Sequence, residues 1–193
     1  MNYIYDAFFS YKRDPMSDSW HEILKDKLAH WLRMELNKLD VRIFFDKEEI
    51  GTGTQWRQKL VNALSQSKCL VCIWSPCYFQ SKWCISEWWT FRERERIYRC
   101  DLVLPATYHD GEHFPRETRD KQWADFSHYT STLPSFWETK LADEFEREQI
   151  KMFARDLAAL IRGAPPFQED FPIIEVPDSQ IKGEDIIGRI SES

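Results

Sequence analysis

No apolar run in this 193-residue chain approaches the ~20 residues that a membrane-spanning helix needs. Near its start, Asp6, Lys12, Arg13 and Asp14 stand where a secretory signal would carry its apolar core. A basic surplus is missing as well: the formal charge is −6, which argues against a general nucleic-acid binder. Neither an internal repeat nor a low-complexity tract is present. No GK[ST] follows a glycine-rich turn, so a P-loop is excluded. The one glycine-rich stretch, Gly51-Thr52-Gly53-Thr54-Gln55-Trp56, opens like a dinucleotide fingerprint but ends in tryptophan. Dehydrogenase and NTPase chemistry are thereby disfavoured. A phospho-acceptor receiver is disfavoured too, because it needs acidic residues after its first strand and Lys12 and Arg13 occupy that place here. These absences lead us to expect a cytoplasmic protein with no membrane or nucleic-acid partner.

Aromatic residues are abundant. Nine tryptophans and thirteen phenylalanines exclude a disordered chain and supply one well-packed domain. Charge is unevenly placed: residues 163–193 hold seven acids and two bases, −5 of the −6, leaving a nearly neutral body. The five cysteines (69, 72, 77, 84 and 100) are odd in number and lie in or near apolar segments. Cys69 and Cys72 have CxxC spacing, but residues three apart on a strand point to opposite faces. Buried free thiols, and no metal site, are expected.

Strand and helix patterns alternate along the chain. Tyr3 to Ser10 reads as a buried strand. A helix follows, with Ser19 and Glu22 as a capping box and Trp20, Ile23, Leu24, Leu28, Trp31, Leu32, Leu36 and Leu39 on its inner face. Val41 to Phe45 reads as a second strand, Asp46 to Thr54 as a loop, and a helix from about Gln55 turns Trp56, Leu60, Ala63 and Leu64 inward. Lys68 to Ser75 gives a third strand, Asp101 to Tyr108 a fourth and Trp123 to Phe126 a short fifth. Trp137 to Arg162 reads as one long helix with Leu141, Phe145, Phe153, Leu157, Leu160 and Ile161 inside. Arg92 to Arg96 alternates arginine with glutamate and reads as an exposed, self-paired surface. Such apolar strands alternating with helices predict a parallel sheet covered on both faces. The Pro-containing acidic segment 163–193 is apolar enough to dock on the body or on a second copy.

In open parallel sheets ligands sit at the carboxyl ends of the strands. Ser10-Tyr11-Lys12-Arg13, the 46–54 loop and Ser75 to Glu87 would meet there. They offer cations, aromatic faces, loop N–H groups and a carboxylate, a set suited to a phosphorylated, aromatic ligand. Glu87 follows Trp83 by four positions, which share a helix face. A carboxylate among large rings is costly for packing alone, so Glu87 is the candidate for chemistry. Trp83 reads equally as core and as cleft wall.

Tyr5-Asp6-Ala7-Phe8-Phe9-Ser10-Tyr11, Phe44-Phe45-Asp46 with its glycine-bearing loop, Ser75-Pro76 and Trp83-x-x-x-Glu87 together resemble TIR (Toll/interleukin-1 receptor) domains over roughly residues 1–162. The resemblance implies a flavodoxin-like three-layer α/β fold, with a five-stranded parallel sheet flanked by helices. It also implies one of two roles, adaptor module or NAD-cleaving enzyme. Glu87 matches the glutamate that the enzymes carry on the helix after the third strand. Ser10, Tyr11, Lys12 and Arg13 fall at NAD-contacting positions, and Phe45, Asp46 and Glu49 around the loop that borders the cleft. Similar bacterial TIR proteins act in antiphage defence, by depleting NAD or by making cyclic ADP-ribose-type signals that a separate effector protein reads. NAD+ would then be substrate, with no resident cofactor, and self-association through TIR–TIR contacts is expected. A non-enzymatic interaction module, and transfer of the ADP-ribosyl unit onto another nucleotide, are the competing readings.

Overall fold

The computed structural model describes residues 2–46 and 54–175, with the backbone alone for 54–56. Glu49, the glycines of the 46–54 loop, the inward face assigned to Trp56 and the chain from Val176 onward lie outside the described residues. Five parallel strands form one sheet: β1 (Tyr5–Tyr11), β2 (Ile43–Phe44), β3 (Ser67–Trp74), β4 (Val103–Thr107) and β5 (Ala124–Asp125), in the order β2-β1-β3-β4-β5. This is the flavodoxin-like order, in which the winding direction reverses between β1 and β3. Right-handed crossovers running in opposite directions from that point put their helices on opposite faces. Accordingly α1 (Asp18–Leu36) packs with α5 (Lys151–Gly163), which also meets β3 and β4. In the other layer α2 (Thr54–Ser65) lies against β1, and α3 (Lys82–Tyr98) against β1, β3 and β4.

Burial from both sides explains the apolar strands, β3 above all: Cys69 to Trp74 is wholly buried. Cys69 and Cys72 are free thiols within it. Asp6 is the charged exception on β1. Its burial pushes the carboxyl pKa up, but Lys38 (2.8 Å), the Arg42 N–H (3.1 Å) and Lys68 (3.1 Å) together hold it below the usual value.

Four expectations need correction. The Ser19–Glu22 capping box does not form. Ser17 takes the N-cap position, and its N–H and that of Asp18 bond to the Asp14 carbonyl, so the helix starts one residue before Ser19. Leu39 is not on the inner face of α1 but 94% exposed. Asn37 adopts the left-handed conformation (φ 49°) and ends the helix before it.

The long C-terminal helix is broken. A 3-10 turn (Pro134–Glu138) precedes α4 (Lys140–Glu144), whose first turn is capped by Thr139 Oγ1 accepting the Ala142 N–H at 3.2 Å. A π-helical turn, Phe145–Ile150, then leads into α5. A π turn inserts about one residue and rotates what precedes it by roughly 100°. Leu141 is therefore exposed, while Ala142 and Phe145 take the core positions.

The fourth correction concerns Arg94. Its neighbours behave as a charged surface, with Arg96 bonding Glu93 at 2.7 Å and Arg92 reaching Glu95 at 3.8 Å. Arg94 itself is 1% exposed. Its guanidinium lies between the rings of Phe91 and Phe171, 4.6 and 4.5 Å from their centres. One nitrogen donates to the Ser67 carbonyl at 3.4 Å; Nε and Nη2 have no partner among the described residues. Burial lowers its pKa to about 10, so it stays charged at neutral pH.

Phe171 belongs to a strap, residues 164–175, laid across this side of the body. Tyr3 Oη donates to the Pro165 carbonyl at 2.9 Å, and the Tyr3 ring packs against Phe167 and Phe171. Farther on, Thr90 Oγ1 accepts the Ile174 N–H at 2.9 Å, and Arg57 pairs with Glu175.

Candidate active site

Glu87 stands in the second turn of α3, beside the carboxyl ends of the paired strands β1 and β3. The strand that leads there stops at Ser75-Pro76. The Ser75 carbonyl and hydroxyl both accept the Tyr78 N–H, which sets a 3-10 turn over Tyr78–Gln80. Cys84 Sγ then donates to the Tyr11 carbonyl at 3.5 Å and ties the first turn of α3 to the end of β1. That docking turns Glu87 inward, and the residue is 6% exposed.

Its carboxylate Oε2 accepts the Ser10 hydroxyl at 2.5 Å, and Ser10 Oγ lies 2.8 Å from the Tyr78 hydroxyl. Burial is the main influence on the Glu87 carboxyl and raises its pKa to about 8. The Ser10 bond opposes that rise, the Asp46 charge adds to it, and the Arg13 charge opposes it. Arg13 in turn bonds both the carbonyl (2.5 Å) and the carboxylate (3.2 Å) of Asp46, closing a link between the loops after β1 and β2. Tyr11 Oη reaches the same Asp46 carbonyl at 3.4 Å.

Four rings run along this edge of the sheet. Phe45 stacks on Tyr11 (4.9 Å, 5° between planes), Tyr11 on His21 (4.6 Å) and His21 on Tyr108 (5.3 Å). His21 Nδ1 lies 2.8 Å from the Ser17 carbonyl. A carbonyl only accepts, so that nitrogen carries the proton. Burial drives the ring's pKa down to about 4 and keeps it neutral. Tyr11 has both faces covered, by Phe45 and by His21, and is buried, so half-buried Phe45 is the ring of this stack placed to meet a base, and Arg13 supplies the cation for a phosphate.

The fold thus gathers Ser10, Tyr11, Arg13, Phe45, Asp46 and Glu87 at one edge. Lys12 is exposed there, and its charge is felt by the Cys84 thiol. Trp83 is half-buried, with Lys82 6.0 Å over its ring. The tryptophan next to Glu87 in sequence, Trp88, points away into the core against Trp74 and Phe79. The polar contact shown for the carboxylate comes from the Ser10 hydroxyl. Tyr78 and His21 were not among the candidates. Tyr78 occupies a turn without periodicity, and His21 sits in the first turns of α1 like any core residue.

Two surface concavities among the described residues lie elsewhere. One, of about 420 Å³, is bordered by Tyr5, Gln58, Asn62 and Gln66 at the amino ends of β1 and β3; the other, of about 330 Å³, lies between the end of α3 and Lys121. Neither contains a fully buried ionisable group. The chemistry at Glu87, rather than surface relief, locates the site. Among the described residues no group of three His, Cys, Asp or Glu side chains is arranged to hold a metal, and no helix is long and apolar enough to cross a membrane.

Residues 8–136 match the TIR domain family, and the chain belongs to it. Among solved structures it is similar to the TIR domain of the Toll-related receptor TRR-2 from the lower metazoan Hydra magnipapillata. The two are 16% identical, over 75% of this chain and 99% of that one, with a TM-score of 0.40. It is also similar to the TIR domains of the activated Roq1 resistosome directly recognizing the pathogen effector XopQ. There the identity is 19%, over 80% of this chain and 84% of that one, again with a TM-score of 0.40. No curated protein matches the chain. The family includes both NAD-cleaving enzymes and signalling adaptors.

Proposed function

We propose that this TIR domain is an NAD+ glycohydrolase or ADP-ribosyl cyclase, with Glu87 as its catalytic carboxylate. The observation that carries the reading is the placement of Glu87. It is a buried carboxyl held by Ser10, with no cation bonded to it among the described residues, at the sheet edge where the family's ligand elements converge. Cleaving the nicotinamide–ribose bond sends the bonding pair to the pyridinium nitrogen, so nicotinamide leaves neutral and needs no proton. The ribose carbon becomes oxocarbenium-like, as in glycoside cleavage. One carboxylate near the ribose stabilises that cation. Water then adds to give ADP-ribose and releases a proton, or a nucleophile within the ADP-ribosyl unit closes a ring. Arg13 and Lys12 take the pyrophosphate, Phe45 a flat group, and Asp46 and Trp83 border the cleft. Activation by self-association, a separate effector that senses the product and a role in bacterial antiphage defence belong to the same proposal.

The raised pKa of Glu87 sets a pH dependence. In the empty site the carboxyl is mostly protonated at pH 7, whereas the reaction needs the charged form. The rate, as kcat/KM, is expected to rise with pH through about 8, the ionisation of the free protein. The pyridinium charge of bound NAD+ favours the carboxylate, so the rise in kcat falls at lower pH. A rate that fell across this range would assign the chemistry to the neutral acid.

The decisive experiment is to incubate the purified chain with NAD+ at a series of protein concentrations, with and without a crowding agent, and to follow products by chromatography with mass analysis. Nicotinamide with ADP-ribose indicates hydrolysis; a co-product one water lighter indicates cyclisation. Intact NAD+ at every concentration would instead support the non-enzymatic interaction module, in which Glu87 and Ser10 are packing partners. An ADP-ribosyl unit found on an added nucleotide would identify the transferase reading.

A further inference from the structure

From the hydrogen-bond chain Tyr78–Ser10–Glu87 we infer that Tyr78 is a positioning residue: through Ser10 it orients the Glu87 carboxylate and favours its charged form. This rests on the reading of Glu87 as the catalytic carboxylate, and it concerns a residue outside the substrate's reach. Tyr78 is fully buried, and its hydroxyl lies 2.8 Å from Ser10 Oγ.

The direction of the hydrogen bonds supports the inference. The chain has two links, Tyr78 to Ser10 at 2.8 Å and Ser10 to Glu87 at 2.5 Å. With Glu87 ionised it holds two protons, one from each hydroxyl. Tyr78 donates to Ser10, Ser10 donates to Oε2, and both donors are satisfied. With Glu87 protonated on Oε1 both links persist, but Ser10 then donates to a neutral acid in place of a charged carboxylate. A hydrogen bond to a charged acceptor is the stronger one, so the wiring works against the rise that burial imposes. Ser10 acts best as a donor when its own oxygen is polarised by a second donor, and Tyr78 is that donor.

Among the described residues, the other charged or titratable groups that act on Glu87 are spread over four parts of the chain. Arg13 follows β1 and Asp46 follows β2. Cys72 lies on β3 and Cys84 on α3, and burial holds both thiols neutral. None of them bonds Ser10 among the described contacts. The Tyr78 hydroxyl is thus the group that can change the donor strength of Ser10 without altering the charge around the site.

The test is Tyr78→Phe, which deletes one oxygen and keeps the ring in the core. Carboxyl-labelled Glu87 is titrated by NMR in the wild type and the variant, a readout independent of any activity. The expected result is that the Glu87 titration midpoint moves upward by roughly half a pH unit to one pH unit. The rise of kcat/KM with pH should move by the same amount. Ser10→Ala should move it further, because it removes the donor itself. An unchanged or lowered titration in a folded Tyr78→Phe protein overturns the inference. If the titration moves but neither protein consumes NAD+, the hydrogen-bond chain stands and the catalytic reading fails.

Discussion

Glu87→Gln is expected to reduce nicotinamide release from NAD+ by ~10² to 10⁴-fold, the range for loss of a positioned catalytic group, while raising stability at alkaline pH. The two effects have one source. Burial makes the charged carboxylate expensive, and the oxocarbenium-like transition state is what that charge would serve. In the unfolded chain Glu87 loses its proton near its ordinary value of 4.5; in the folded protein it holds it to about 8. Between those limits the folded state binds the extra proton, so stability falls as pH rises and levels off above about 8. Gln carries no charge and escapes this loss. Thermal unfolding of the variant and the wild type should therefore differ little at pH 4.5. By pH 8.5 the variant should lead by a few kcal/mol, on the order of 1.4 kcal/mol for each pH unit that separates the folded and unfolded ionisations. A variant that lost activity and also lost stability at pH 8.5 would point to a structural role for the carboxylate.

Much of this site is legible in the sequence because it depends on strand ends. Ser10, Phe45 and Ser75 each close an apolar run, and parallel strands put such ends on one edge. The Trp83–Glu87 spacing then adds the carboxylate from the following helix. What escapes is what tertiary packing decides. Tyr78 lies in a 3-10 turn, where no period marks a face, and only the closeness of β1 gives its hydroxyl a partner. The phase of Leu141 cannot be read because the π turn after it inserts a residue without a signature in composition. Strand lengths differ from the sequence pattern for a similar reason. Val41 and Phe45 are as β-prone as Ile43, yet only Ile43 and Phe44 pair with β1, at Ala7 and Phe8.

Arg94 is the plainest case of a residue whose setting is hidden from its neighbours. Its alternation with glutamates reads as a solvated face, and the ring that buries it arrives from Phe171, far along the chain. Phe171→Ala is expected to destabilise the protein by about 3 kcal/mol, the lower end for losing a buried phenylalanine, and to lower Tm by roughly 6–12 °C for a chain of this length. The cost is held down because opening the strap lets water reach the unpaired Nε and Nη2 of Arg94, a gain that offsets part of the lost packing. A double-mutant cycle separates the two contributions. Arg94→Met removes a buried charge with two unsatisfied donors and keeps most of the apolar length, so alone it should be neutral or stabilising. In that background Phe171→Ala loses packing but neither a cation–π contact nor compensating hydration. The coupling energy between the two positions then reports which of these dominates. A desolvated cation–π contact is worth about 2 kcal/mol, and with Phe91 keeping one face of the guanidinium covered, rehydration after loss of Phe171 is incomplete. We therefore expect a favourable Arg94–Phe171 coupling of about 1 kcal/mol, measured by chemical denaturation. A coupling of zero would mean that the strap is held by its rings and backbone bonds alone, with Arg94 merely enclosed beneath it.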